Sequence, residues 1–241
     1  AVPNIVREHW PEYLMEAAGL GLFMISAAVV TTLLEYPHSP LHGLFADQAT
    51  RRLMIGLAMG ATAIGLIYSP WGKRSGAHLN PAVTLTFYRL GKIGGIDACS
   101  YVMAQFFGGA LGLWLVSRAI GKAVEHPAVN YVVTTPGPAG SGTAFVAEAL
   151  ISFGLMLVVL MVSNTTSLNA WTGCVAGALV ATYIAIEAPL SGMSMNPARS
   201  FASALPAHLW TAFWIYLTAP LIGMLLAAEV YVRVHGAHRV L

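Results

Sequence analysis

Ser75-Gly-Ala-His-Leu-Asn80-Pro81-Ala82 and Ser191-Gly-Met-Ser-Met-Asn196-Pro197-Ala198 share the pattern SGxxxNPA, with asparagines at 80 and 196. In each copy Asn precedes Pro, the residue pair that starts a helix: Asn caps the first turn through its side-chain oxygen, and Pro at the first helical position gives up only an N–H that had no partner. The stretches that follow, Pro81 to Leu90 and Pro197 to Leu205, read as short helices. Ten residues at ~1.5 Å each reach ~15 Å, half of the ~30 Å of bilayer hydrocarbon. The pattern therefore predicts two half-helices, and their position divides the chain nearly in two.

The rest of the chain says that this division lies inside a membrane. Of 241 residues 57% are hydrophobic and 9% charged, and the mean hydropathy is +0.69. A water-soluble domain carries roughly 25% charged residues, so a soluble enzyme, a disordered tail and a coiled coil are excluded. A net charge of +2 offers no field for a phosphate backbone, and nucleic acid is not an expected partner. Cys99 and Cys174 lie in apolar stretches and build neither a disulfide framework nor a CxxC metal site. With charges as punctuation, six runs emerge: Tyr13 to Leu34, Leu53 to Tyr68, Ala98 to Ser117, Thr143 to Val162, Ala170 to Ile186 and Trp210 to Ala228. They are apolar all round rather than alternating, which selects helices over barrel strands, and their internal glycines allow close helix approach. No signal peptide is evident, because the first run opens on Glu12 and Glu16 rather than on a basic region.

Three runs fall in each half, with the SGxxxNPA element between the second and third. An odd number of spans inserts the second half upside down, so residues 1–120 form a first inverted repeat, 121–142 a connecting loop that includes Gly137 to Gly142, and 143–241 a second repeat. In such repeats the broken helices meet at the membrane midplane. The balance of Lys and Arg places both termini in the cytoplasm: Arg7, Lys73, Arg74, Arg89, Lys92, Arg233 and Arg239 lie on that side, against Arg51, Arg52, Arg118 and Lys122 outside. The Asn164-Thr-Thr166 sequon is then cytoplasmic and inert.

On these residues the chain resembles the major intrinsic protein family of aquaporins and glycerol facilitators. The two inverted NPA motifs carry the resemblance, with Arg199 after the second, Glu16 and Glu148 early in the first and fourth spans, Ala104-Gln-Phe-Phe-Gly-Gly109 in the third and Ala219-Pro-Leu-Ile-Gly223 in the sixth. The resemblance implies an all-α membrane protein of six tilted helices and two re-entrant half-helices, one pore per subunit, and a homotetramer in the plasma (bacterial inner) membrane. It also places Met59, Ile184, Met193 and Arg199 at an outer selectivity filter, with Gly60 the alternative to Met59. Ser200, Ala204, Phe213 and Trp214 resemble the water-type rather than the glycerol-type set, whereas Ile184 and Met193 stand where water-specific members have His and a small residue. The filter expected is thus unusually apolar.

The residues suggest a mechanism. Each half-helix N-terminus carries roughly half an elementary charge, and a cation about 5 Å from both is repelled by ~3 kcal/mol at an effective dielectric of 20. Lost hydration and Arg199 supply the rest of the ion barrier. Asn80 and Asn196 cap their helices and still offer NH2 groups to the lumen, orienting water against proton hopping. Glu16 and Glu148 could form a proton relay, but the preferred reading has each accept hydrogen bonds from the irregular backbone before an NPA, with His78 as a further brace. No protease, esterase, phosphate-loop or metal-ligand motif is present, so neither an enzyme nor a cofactor is expected. The expectation is a passive channel for water and small uncharged solutes (glycerol, urea, ammonia, undissociated metalloid acids). A secondary transporter on inverted repeats and a closed structural membrane protein are the alternatives.

Overall fold

A computed structural model describes residues 4–236. Arg239, counted above on the cytoplasmic side, lies outside the described residues. Eleven α-helices run in chain order: α1 (Asn4–Glu35), α2 (Pro40–Leu44), α3 (Gln48–Tyr68), α4 (Pro70–Ser75), α5 (Pro81–Arg89), α6 (Gly95–Glu125), α7 (Gly140–Ser163), α8 (Thr172–Ile186), α9 (Ala188–Ser191), α10 (Pro197–Ala207) and α11 (Phe213–His235). Six of these, α1, α3, α6, α7, α8 and α11, are long and apolar enough to cross a membrane, the fifth counted from Asn169. Between them α5 and α10 are the two half-helices, and the fold is the six-span inverted repeat anticipated above.

Several ends differ from the apolar runs. Helix α1 begins well before Tyr13, because its charged first turns have partners: Glu12 bonds Arg74 at 2.8 Å, while His9 and Tyr13 bond Asp97 at 2.9 and 2.6 Å. Helix α11 begins at Phe213 rather than Trp210, since Ala212 adopts a left-handed conformation (φ 52°) that no helix interior tolerates. Helix α10 continues past Leu205 through Pro206. His208, itself left-handed, closes it by donating its N–H to Ala204 and Leu205 carbonyls. Helical geometry in α6 breaks at Gly121 (φ 25°), and α7 takes up Gly140 to Gly142 as its first turn.

The packing repeats with the sequence: α1 lies on α6, α7 on α11, and α3 meets α8 between the halves. These contacts are made backbone to backbone. A methyl on Gly108 would overlap the Ala17 carbonyl oxygen of α1, and one on Gly60 or Gly177 would overlap the carbonyl of the other. Gly108→Val should therefore cost about 3 kcal/mol by overpacking, read as a lowered melting temperature in detergent. Gly65→Ala, with open space around it, should be neutral or slightly stabilising. Equal melting of Gly108→Val and wild type would refute this close-contact account of α1 and α6. The outside is apolar: all six tryptophans are at least 44% exposed, and Trp10, Trp71, Trp171 and Trp210 lie near helix ends, where aromatic belts sit. The protein is an integral membrane protein.

Candidate functional site

Two re-entrant segments, 75–80 and 191–196, lead into α5 and α10, and their backbones follow one course. Gly76 and Gly192 are left-handed (φ 87° and 82°), followed by left-handed Ala77 and Leu79 in one segment and Met193 and Met195 in the other (φ 48° to 54°). Each such non-glycine residue costs ~1 kcal/mol or more and persists only where surrounding bonds dictate it. Here the dictating groups are Glu16 and Glu148. Glu16 accepts hydrogen bonds from Ser75 Oγ (2.7 Å), His78 N (3.0 Å), Leu79 N (2.6 Å) and Gln105 Nε2 (2.7 Å). Glu148 accepts from Ser191 Oγ, Ser194 N and Met195 N, each at 2.7 Å. Both carboxylates are fully buried. Tyr101 and Tyr216 complete the parallel, their hydroxyls donating to the Ser75 and Ser191 carbonyls at 2.8 and 2.6 Å. His78 braces α5 through Thr84 Oγ1 (3.1 Å) and by stacking on Phe87 at 5.0 Å between centroids.

The half-helices begin where the Asn-Pro pairs place them. Asn80 Oδ1 accepts from Ala82 N at 2.8 Å, and Asn196 Oδ1 from Ala198 N and Arg199 N at 3.1 and 3.2 Å. The amides differ from the sequence expectation in one respect. Asn80 Nδ2 donates to the Met195 carbonyl (2.7 Å) and Asn196 Nδ2 to the Leu79 carbonyl (2.8 Å). One hydrogen of each NH2 is thus committed to the opposite half, which leaves one for the lumen rather than two. Sequence alone gives no sign of this exchange, because neither acceptor is a side chain.

A continuous cavity of about 750 Å³ passes both asparagines. One wall is a single stripe of α3: Arg52, Ile55, Met59, Ala63 and Ile67, spaced three or four residues apart, line it over a length of ~22 Å. Ile184 of α8, Met193 and Arg199 lie on the same cavity, and Ile184 packs against both the cluster containing Met59 and that containing Met193. Gly60 is turned into the α3–α8 contact instead. Pro81, Ala82, Pro197 and Ala198 are buried behind the asparagines, and Glu16 and Glu148 are off the cavity. Arg199 Nη1 is buried without a partner among the described residues. Ser200, Ala204, Phe213 and Trp214 do not line the cavity; Ser200 Oγ instead bonds Ser194 Oγ (2.6 Å) and Thr134 Oγ1 (2.7 Å).

Thr134 was not legible in the sequence, and neither was the cavity mouth beyond Met59. There Glu35 and Arg52 line the wall, Arg52 Nε donates to the Ala185 carbonyl at 2.9 Å, and Arg51 pairs with Glu35 at 3.0 Å. The only available signal was the spacing of Arg52 from Met59, two helical turns on one face. Among the described residues no group of His, Cys, Asp and Glu could hold a metal.

Comparisons with known proteins agree with this geometry. The chain is 37% identical over 180 residues to aquaporin NIP6-1 of Arabidopsis thaliana, covering 74% of this chain and 57% of that protein, so it spans little more than half of that relative. It is 36% identical over 184 residues to the probable aquaporin AqpM of Archaeoglobus fulgidus, covering 73% of this chain and 74% of the other. An aquaglyceroporin from Plasmodium falciparum has the same fold, with a TM-score of 0.75 and 21% identity over 92% of this chain and 95% of that one. The sequence profile of major intrinsic proteins matches residues 6–231, from the first helix to the last. With two capped half-helices meeting on one cavity inside six spans, the chain belongs to the major intrinsic protein family.

Proposed function

We propose that the protein is a passive channel, not an enzyme, that conducts water and small uncharged solutes such as glycerol, urea, ammonia or undissociated metalloid acids and excludes ions and protons. The observation that carries this reading is the meeting of Asn80 and Asn196 on a continuous cavity with both buried glutamates off its wall and occupied by backbone donors. An ion-coupled transporter needs paired charges near the midplane, and Glu16 and Glu148 are not free for that task. Met59, Ile184 and Met193 form the outer filter in this reading, with Arg199 as its one fixed polar donor. A water molecule there meets three apolar walls, and a solute with an apolar face meets less to exclude it.

The halves 1–120 and 143–241 act as one pore, the chain assembles as a homotetramer, and both termini face the cytoplasm of a plasma (bacterial inner) membrane. The test is osmotic. Proteoliposomes should shrink fast in an impermeant sugar and reswell in a glycerol or urea gradient, and Ile184→His should cut reswelling roughly tenfold with water flux retained, the loss expected from ~1.4 kcal/mol of filter barrier. Fast shrinkage without reswelling would eliminate the solute reading and leave a water pore.

A further inference from the structure

Glu187 is the first residue beyond the fifth span and takes no part in the reading above. It caps α8 one turn after Ile184, is 6% exposed, and neither carboxyl oxygen has a hydrogen-bond partner of either kind among the described residues. Its neighbours are the bracing groups of the second re-entrant segment. It lies beside Ser191 and in the field of Glu148. The charged and titratable groups facing it are Glu148 on α7 and Tyr216 on α11, whose hydroxyl is held by the Ser191 carbonyl, with Arg199 on α10 beyond them in the field of those two.

Two buried carboxyl groups around one serine cannot both be ionised at low cost. The hydrogen bonds decide which one is. Glu148 collects three donors and has the Arg199 charge nearby, whereas Glu187 collects none. Ser191 has spent its single proton on Glu148, and its oxygen accepts from Met193 N at 3.0 Å. A second lone pair is left on that oxygen, and a protonated Glu187 beside it supplies a matching donor.

We propose that Glu187 is a positioning residue of the outer filter that works as the neutral acid, donating its proton to Ser191 Oγ and so holding the Met193 wall in place. The relay then reads Glu187 O–H to Ser191 Oγ, Ser191 O–H to Glu148, with the Met193 amide on the same serine. When the proton leaves, it passes to water in the cavity, which Ala188, the next residue, lines. The new anion beside Glu148 must turn toward that water, and Ser191 and Met193 lose their lock. Burial and the Glu148 charge push the Glu187 carboxyl up to about 7, so the acid form prevails below neutrality and the anion above it. Filter width is thereby tied to pH, with the tight state at the acid end.

This inference rests on the filter assigned under the proposed function. Wild-type protein in vesicles should raise its ratio of glycerol to water permeability about threefold between about pH 6 and about pH 8, as the protonated fraction falls from roughly nine-tenths to one-tenth. Glu187→Gln, whose amide can donate to Ser191 without titrating, should hold the acid-end ratio throughout. A wild-type ratio that is flat with pH, or a Glu187→Gln ratio that follows pH as wild type does, overturns the proposal. An infrared difference spectrum of the wild type between the same two pH values gives a second readout that needs no variant. It should show one buried protonated carboxyl lost at the higher pH, and absence of that band overturns the proposal by itself. Vesicles that pass no glycerol at either pH defeat the solute reading, and the carboxyl band still decides the fate of the proton.

Discussion

Glu148→Ala should abolish water flux and destabilise the protein by about 5 kcal/mol, because it strands the Ser194 and Met195 N–H groups and the Ser191 hydroxyl in a dry interior at roughly 1–3 kcal/mol each. All three bond the glutamate at 2.7 Å, and Glu187 beside Ser191 could take over the hydroxyl but not the two backbone N–H groups. The left-handed Met193 and Met195 then lose what holds them, and Asn196 with Arg199 loses its place in the lumen. Glu148→Gln keeps an acceptor oxygen and the side-chain volume, so it should lose about 2 kcal/mol and retain part of the flux. Thermal melts in detergent with flux assays on the folded fraction check both. An alanine variant that melts with the wild type would show that the carboxylate does not hold this segment.

Arg199→Ala should raise proton or cation leakage by about two orders of magnitude while water flux stays near its wild-type value. A full positive charge about 5 Å from a permeating cation contributes ~3 kcal/mol at an effective dielectric of 20, as much as both half-helix termini together. The alanine variant retains the helix termini and the Asn80 and Asn196 amides on the same cavity, so the path for a neutral molecule is kept. Arg199→Lys keeps the charge and should leak little. Decay of a pH gradient across dye-loaded vesicles measures the effect, and decay unchanged in Arg199→Ala would remove Arg199 from the ion barrier.

How much of this was legible depends on whether the signal was local. The six spans follow from stretches of uncharged residues, and the half-helix starts from Asn-Pro, whose capping chemistry involves neighbours two or three residues away. The ends were less legible, because a charge marks the edge of the apolar slab and not the end of a helix. Glu12, His9 and Tyr13 extend α1 through bonds to Arg74 and Asp97, partners distant in sequence. The glutamates were legible as carboxylates in apolar runs with no charged partner nearby, which leaves the irregular backbone as acceptor-seeking neighbour. Glu187 was not, since one more acidic residue at the end of a span looks like an interfacial charge until the fold buries it. Nor was the choice between Met59 and Gly60: a one-residue shift turns a side chain by about 100° on a helix, and only the α3–α8 contact shows which of the two faces the cavity.

The exchange of asparagine amides between the halves bears on how the chain is made. Leu79 and Met195 carbonyls are each satisfied by the asparagine of the other segment, so the first re-entrant segment has no complete set of partners until the second exists. Asn196 leaves the ribosome about 116 residues after Asn80, which at ~5–20 residues per second is a delay of roughly 6–23 s. During that interval the Pro81 half-helix has Glu16 but not Asn196, and its exposed Leu79 carbonyl requires water or the insertion machinery as a temporary partner. Membrane insertion of the first half is therefore provisional, and the bilayer holds a wetted, unfinished hairpin until the second half arrives to seal it.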